Sequence, residues 1–179
     1  YSFIKYPEAA HLSRTLFSKL LGFYEKELEP IFEKINSKTY DNIINIGCAE
    51  GYYAIGMALN HPKSIVYAFD INKEARKICY NMARLNNVDD RVIIDELCDI
   101  NRLKSLELKN KNLIISDCEG YEKKIFTKGV KDLLQNHDML IEIHDCIDSS
   151  ISTQIKEVFK DTHNIQIVKS LEDFQKIIL

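Results

Sequence analysis

Asp117, Glu119 and His144 are the residues whose types and neighbours suggest chemistry first. Histidine is the side chain whose ordinary pKa lies nearest neutrality. A carboxylate beside it orients the ring and raises its basicity. His144 is followed by Asp145 and preceded two residues earlier by Glu142. Such a group suits a general base that removes a proton from a hydroxyl. A second expectation attaches to the same residues. Asp117, Glu119, Glu142 and Asp145, with His144, would make an oxygen-rich site for a divalent ion such as Mg²⁺, which lowers the pKa of a bound hydroxyl. Strand alternation separates Glu142 and His144 from Asp145, so only a subset converges, with Asp117, Glu119 and His144 the candidates. No local Cys/His pair has zinc-ligand spacing. His11, His61, His137 and His163 read as surface residues at helix starts and turns.

The next chemistry-bearing segment is Asn45-Ile-Gly47-Cys48-Ala-Glu50-Gly51. Gly47, Gly51 and Gly56 are half of the six glycines in the chain. Glycine lets the backbone turn tightly and approach a ligand closely, and a following helix start adds unpaired N–H groups and partial positive charge. Asp70 lies 19 residues beyond Gly51, where a carboxylate can accept hydrogen bonds from a ribose diol. A dinucleotide site prefers G-x-G-x-x-G around a pyrophosphate. This loop reads G-x-x-x-G, and Glu50 within it would repel a pyrophosphate. The reading therefore tilts from NAD towards an adenosine cofactor without phosphate, such as S-adenosylmethionine. A plain strand–turn–helix corner remains the alternative for the glycines alone.

Alternating elements must position these residues. Apolar spacing predicts helix from about Ala10 to Ile35, which Pro30 can divide in two. Strands are expected at Asn42–Ile46, Ser64–Phe69, Val92–Ile94, Leu113–Ile115, Met139–Ile143 and Ile165–Val168. Helices are expected at Tyr52–Leu59, Lys73–Leu85 and Ile151–Phe159. Near-continuous apolar strands separated by helices imply a doubly wound, mostly parallel α/β sheet with helices on both faces. In such sheets the ligand lies beyond the carboxyl ends of the strands. Gly47, Asp70, Asp117 and His144 all end or follow strands and so reach one edge.

Composition narrows the class. The chain has 179 residues, 45% hydrophobic and 28% charged, with 24 basic against 27 acidic residues and net charge -3. That is one ordinary globular domain's worth of chain, not a disordered one. No basic excess suggests nucleic acid or an anionic membrane as partner, and no apolar run approaches the roughly 20 residues of a membrane span. The five cysteines (Cys48, Cys79, Cys98, Cys118 and Cys146) are odd in number and contain no CxxC pair, which fits reduced thiols in a cytoplasm. No secretory signal is read ahead of the first helix. The sequence opens on Tyr1 rather than Met, as a segment of a longer protein would. Lys123, Lys124, Lys128 and Lys131 read as a solvated helix face, or as an attraction for a phosphorylated substrate.

Three stretches resemble class I S-adenosylmethionine-dependent methyltransferases, and among them the FkbM-type family most. They are Asn45–Tyr53, Val66–Asn72 with Asn81, Leu85 and Asn86 downstream, and Ser116-Asp-Cys-Glu-Gly-Tyr-Glu122, which resembles the family's Asp-x-Glu-Gly-x-Glu signature. Ile141-Glu-Ile-His-Asp145 resembles its fifth-strand end. The likeness covers roughly residues 40–146. It implies a Rossmann-like methyltransferase domain over 39–179. Residues 1–38, which the likeness does not cover, read separately as a helical segment that is either a lid or a packing face. It implies methyl transfer, often to an oxygen of a small molecule, sugar or glycan. By that resemblance Gly47 and Gly51 lie against the cofactor's amino-acid portion, Asp70 holds the ribose, Asp99 approaches the adenine and Asp117 sits near the methionine end. Asn45, Cys48, Ile71 and Cys98 complete the implied cofactor set, and His144 acts as base with Asp117 or Glu119 beside it.

The chain departs from the pattern in two places. Asn45 stands where the family usually has an acid, so Glu50 is a substitute source of charge for the cofactor's ammonium. The usual antiparallel seventh strand is either missing or formed by Phe174–Ile178. Two alternative functions stay open: an NAD(P)-dependent oxidoreductase, and a non-catalytic docking module that keeps the fold. A homodimer is a further expectation.

Overall fold

The computed structural model describes residues 4–7, 15–21, 24–108, 110–169 and 175–178. Seven strands form one sheet: β1 (Asn42–Ile46), β2 (Ile65–Phe69), β3 (Val92–Asp95), β4 (Asn112–Ser116), β5 (Asp138–Ile143), β6 (Gln166–Lys169) and β7 (Gln175–Ile178). Their order is β3-β2-β1-β4-β5-β7-β6. The first five run parallel. β7 pairs antiparallel with both β5 and β6, so the strand expected near the C-terminus is present. Phe174 lies outside the described residues.

Register aligns the functional edge. Ile46 is level with Phe69 on β2 and with Ser116 on β4. Gly47, Asp70 and Asp117 therefore leave three adjacent strands side by side. The order of connection reverses between β1 and β4, which opens the crevice where doubly wound sheets bind ligands.

Alternation along the buried strands supplies two cores. Ile43, Val66, Ala68, Leu113, Ile115 and Leu140 face one side. Ile44, Ile46, Phe69, Ile114, Met139 and Ile141 face the other. Helices α2 (Glu29–Asn36), α3 (Tyr52–Asn60) and α4 (Lys73–Leu85) cover the first face, and α8 (Ile151–Phe159) the second. The pattern reading of α4 and α8 agrees with their observed bounds. α4 also has a local start signal, because the Asn72 side chain accepts from Glu74 N at 2.9 Å and Ala75 N at 3.4 Å. Three short helices escape the pattern: α5 (Ile100–Ser105), α6 (Glu122–Ile125) and α7 (Lys131–Leu134).

The N-terminal stretch contains α1 (Leu16–Leu20), a 3-10 turn at Lys26–Leu28 and then α2. Pro30 sits in the first turn of α2, where a missing N–H costs no helical bond. It starts that helix rather than dividing a longer one. Ile4, Leu28, Ile31 and Ile35 join the first core. The Asn86 amide also clamps Lys5, accepting from its N–H and donating to its carbonyl at 2.8 Å each. Among the described residues, no helix is long and apolar enough to cross a membrane.

Two of the histidines expected at the surface are buried. His61 and His137 are only 6% and 5% exposed, and His163 is half-buried. His11 lies outside the described residues. Burial lowers the pKa of His61, His137 and His163 below 6.5, because charging an imidazole in a poorly solvated site is unfavourable. In acid the unfolded chain binds these protons more readily, so stability falls as pH drops below 6.5. Burial pushes Asp138 up, but Lys38 and Tyr40 hold it below 3.8, so it enters only at lower pH. Asp117, which burial raises to about 6, opposes the decline below that pH without reversing the effect of three histidines. Thermal melts taken from pH 7 downward are expected to show the midpoint decline setting in near 6.5. A melting temperature flat to about pH 5 would show that these three histidines do not drive acid unfolding.

Candidate functional site

Turns build the site at the carboxyl edge. Gly47 and Gly51 adopt left-handed φ values of +78° and +100°, and α3 starts directly after Gly51. A side chain on Gly47 would run into the Asp117 carbonyl, so only glycine lets β1 and β4 approach this closely. The loop is held from both sides. Asp70 Oδ2 accepts from Ala49 N and Oδ1 accepts from Asn72 N, at 2.8 Å each. Lys19 of α1 donates to Glu50. That ion pair is buried, and the rings of Tyr24 and Tyr52 lie 4.6 and 5.2 Å from the ammonium. The structure thus corrects the expectation for Glu50. Its charge is committed to Lys19, which anchors α1 to the glycine loop.

A pocket of about 460 Å³ opens at this edge. Gly47, Asp70, Ile71, Cys98 and Asp117 line it, together with Glu96, Leu97 and Glu119. Most of the residues expected around an adenosine cofactor therefore meet in one place. Four do not reach the surface of the pocket, Gly51 among them. Asn45 and Cys48 are buried behind the loop. Asn45 Oδ1 has no hydrogen-bond partner among the described residues, and its Nδ2 makes only a long 3.5 Å contact to the Ile115 carbonyl. Asp99 does not line the pocket either. It caps α5, accepting from Arg102 N at 2.7 Å, so Glu96, Leu97 and Cys98 occupy the place expected of it.

The second half of the site forms where β4 meets β5. Glu119 (φ +52°) and Gly120 (φ +92°) make a left-handed turn. A non-glycine residue held in that region stores strain, a feature that collects at functional sites. The turn folds the start of α6 back under the sheet edge, where Glu122 is completely buried. Glu122 Oε1 lies 2.9 Å from His144 Nδ1 and accepts from Cys118 N at 3.1 Å. On the other side of the ring, His144 Nε2 lies 3.5 Å from Asp117 Oδ1 and 3.6 Å from Glu119 Oε2. Burial alone would push His144 down. The hydrogen bond to Glu122 and the charges of Glu122, Asp117 and Glu119 outweigh it and raise His144 to about 8. Burial raises Asp117 to about 6, with His144 opposing and Glu25, Glu119 and Glu122 adding to the rise. Burial would also raise Glu122, yet its bonds to His144 and Cys118 hold it below 4.5.

Asp117, Glu119 and His144 thus come together, as expected. Glu142 and Asp145 do not join them: Glu142 is half-buried along β5, and Asp145 accepts from Ser152 N at the start of α8. The donor atoms of the trio lie within 4.8 Å of one another. One of the three is an imidazole nitrogen, a ligand that suits transition metals better than Mg²⁺, so the set does not fit the expected ion. Of the lysines, Lys123 pairs with Asp148 and Lys131 with Asp161. Lys124 lines the pocket mouth, with its ammonium 5.3 Å from the centre of the Tyr121 ring. Glu122, buried against His144, is the residue of this cluster that pattern reading overlooked. Its position at the end of the Asp-x-Glu-Gly-x-Glu stretch was the available signal.

No family model matches the sequence, and no curated relative does. Solved structures match its shape. A precorrin-6y C5,15-methyltransferase from Geobacter metallireducens aligns at TM-score 0.64 and 14% identity, over 86% of this chain and 85% of that one. An O-methyltransferase from Bacillus cereus, solved with S-adenosylhomocysteine, aligns at 0.59 and 13% identity over 99% and 92%. A geranyl diphosphate methyltransferase in complex with S-adenosylmethionine aligns at 0.62 and 10% identity over 97% and 93%. The fold is therefore the Rossmann-like one of class I S-adenosylmethionine-dependent methyltransferases. These neighbours are enzymes of that class, and two of them hold the cofactor or its product in their structures.

Proposed function

We propose that this chain is an S-adenosylmethionine-dependent methyltransferase that methylates a hydroxyl on a small molecule, sugar or glycan, as its resemblance to the FkbM-type family implies. The observation that carries the reading is the charge of the pocket. Asp70, Glu96, Asp117 and Glu119 line it with Lys124 as the basic residue. Such a wall favours a sulfonium and an ammonium and repels a pyrophosphate. That disfavours the NAD(P)-dependent alternative. The chain's own groups fit the cofactor in two further respects. Gly47 gives it close backbone approach, and the half-buried Asp117 replaces the carboxylate that Asn45 lacks.

Bound S-adenosylmethionine supplies an electrophilic methyl group on sulfur. The protein's part is to align the acceptor and remove its proton. His144 Nε2 takes the hydroxyl proton as the oxygen attacks, and Glu122 stabilises the imidazolium that results. Asp117 and Glu119 flank Nε2, where they accept hydrogen bonds from neighbouring hydroxyls of a polyol acceptor. The N-terminal segment would act as the lid over that acceptor, and the reaction would take place in the cytoplasm, with no nucleic acid or membrane as partner.

Calorimetric titration with S-adenosylhomocysteine and, separately, NADH tests the cofactor. Binding of the first alone is expected; tight NADH binding without it would sink the reading. Asp70→Ala should weaken S-adenosylhomocysteine by about 1–3 kcal/mol, the scale of a lost pair of charge-assisted hydrogen bonds. An unchanged affinity removes Asp70 from the ribose site.

A further inference from the structure

We infer that Glu122 is a positioning residue that fixes which nitrogen of His144 carries the proton and faces its other nitrogen, Nε2, towards the acceptor. The inference rests on the methyltransferase reading above and adds a residue to it. Glu122 belongs to α6, whereas His144 follows β5, and 22 residues separate them. The backbone N–H of Cys118 is a donor only, so its 3.1 Å bond holds Glu122 Oε1 in place as an acceptor. The same oxygen lies 2.9 Å from His144 Nδ1. An ionised carboxylate has no proton to give, so Nδ1 must be the donor. A neutral imidazole with its proton on Nδ1 carries its lone pair on Nε2, which faces Asp117 and Glu119.

The cost of this arrangement argues against a merely structural role. Glu122 is fully buried, and its Oε2 is a buried oxygen with no hydrogen-bond partner among the described residues. A buried carboxylate is unfavourable unless paired, and a four-residue helix gains little from an acid in its first turn. What Glu122 acquires is His144. Among the described residues, Glu122 faces the ring from α6, and Asp117 and Glu119 face it from the turn after β4. Among them only Glu122 is within hydrogen-bond distance, since 3.5 and 3.6 Å exceed a normal N–H···O bond.

The test needs no acceptor. Histidine in the full chain is labelled with ¹⁵N, and nitrogen–proton correlation spectra are recorded over a pH series, with His144→Gln to assign the signals. Wild type is expected to show the Nδ1–H form above a midpoint near 8. Glu122→Gln keeps a carbonyl acceptor and loses the charge, so the tautomer should persist while the midpoint falls towards 6.5. Glu122→Met loses both, and the tautomer preference should disappear. An Nε2–H signal in wild type, or an unmoved midpoint in Glu122→Gln, overturns the inference, and the wild-type spectrum decides even if neither variant folds. Titrating S-adenosylhomocysteine into the same sample separates the two claims. Failure to bind it sinks the methyltransferase reading, whereas binding with the wrong tautomer sinks only the role of Glu122.

Discussion

His144→Ala slows methyl transfer about 100-fold or more, the usual scale for losing a general base, and leaves S-adenosylhomocysteine affinity largely intact. The difference follows from geometry. His144 follows β5 and does not line the cofactor pocket, whose residues end or follow β1, β2, β3 and β4. It approaches that pocket through Asp117 at 3.5 Å and Glu119 at 3.6 Å. The pH profile should carry the same signature. With His144 raised to about 8, the ring is largely protonated at neutral pH and cannot accept a proton. The wild-type rate should therefore climb between neutrality and about pH 9, and the variant should lose that limb. Initial rates with an acceptor found by hydroxyl screening, measured across this range, provide the check. A variant with the wild-type rate and profile would remove His144 as base.

Gly47→Ala is expected to abolish cofactor binding and to cost roughly 2–4 kcal/mol of stability, because strain and a backbone clash combine. A methyl at position 47 meets the Asp117 carbonyl and Cys118 Cα, neither of which can rotate away. Its φ of +78° is also unfavourable for any L side chain. β4 would have to retreat from β1 at the place where Asp117 N donates to the Ile46 carbonyl at 2.9 Å. Gly51→Ala is the informative comparison. Its closest neighbour is the Cys79 thiol at 2.7 Å, with a contact to Ile55 at 3.2 Å, and side chains adjust where backbone does not. The second variant should lose less. Denaturant midpoints and calorimetry on both proteins test the ranking, and equal losses would mean that the approach of β1 to β4 is not what Gly47 serves.

Much of the fold was legible in the chain because its signals are local. β1 reads as an apolar run that stops at glycine. α4 reads from its apolar stripe, and both agree with the observed bounds. The convergence of Gly47, Asp70, Asp117 and His144 followed from the rule that parallel strands deliver their carboxyl ends to one edge. The short helices α5, α6 and α7 did not register, since four to six residues complete barely more than one turn of a 3.6-residue period. Asp99 shows where a resemblance misleads. The family likeness placed it at the adenine, but an aspartate three residues before Arg102 N is also a helix cap, and the local bond prevailed.

What the sequence determined by itself is the sheet, its order of strands and helices, and the edge at which chemistry occurs, because each depends on side-chain period and on short turns. What only the tertiary structure decided is which charges meet. Glu50 pairs with Lys19 across 31 residues rather than with a ligand. Glu122, which reads as one more acid before two lysines, lies buried against His144. His61 and His137 are interior rather than solvated. A charged or titratable side chain has no periodic signature of its own. Its partner and its burial are set by the packing of distant segments, and those two quantities determine whether it acts as an anchor, a base or a positioning group.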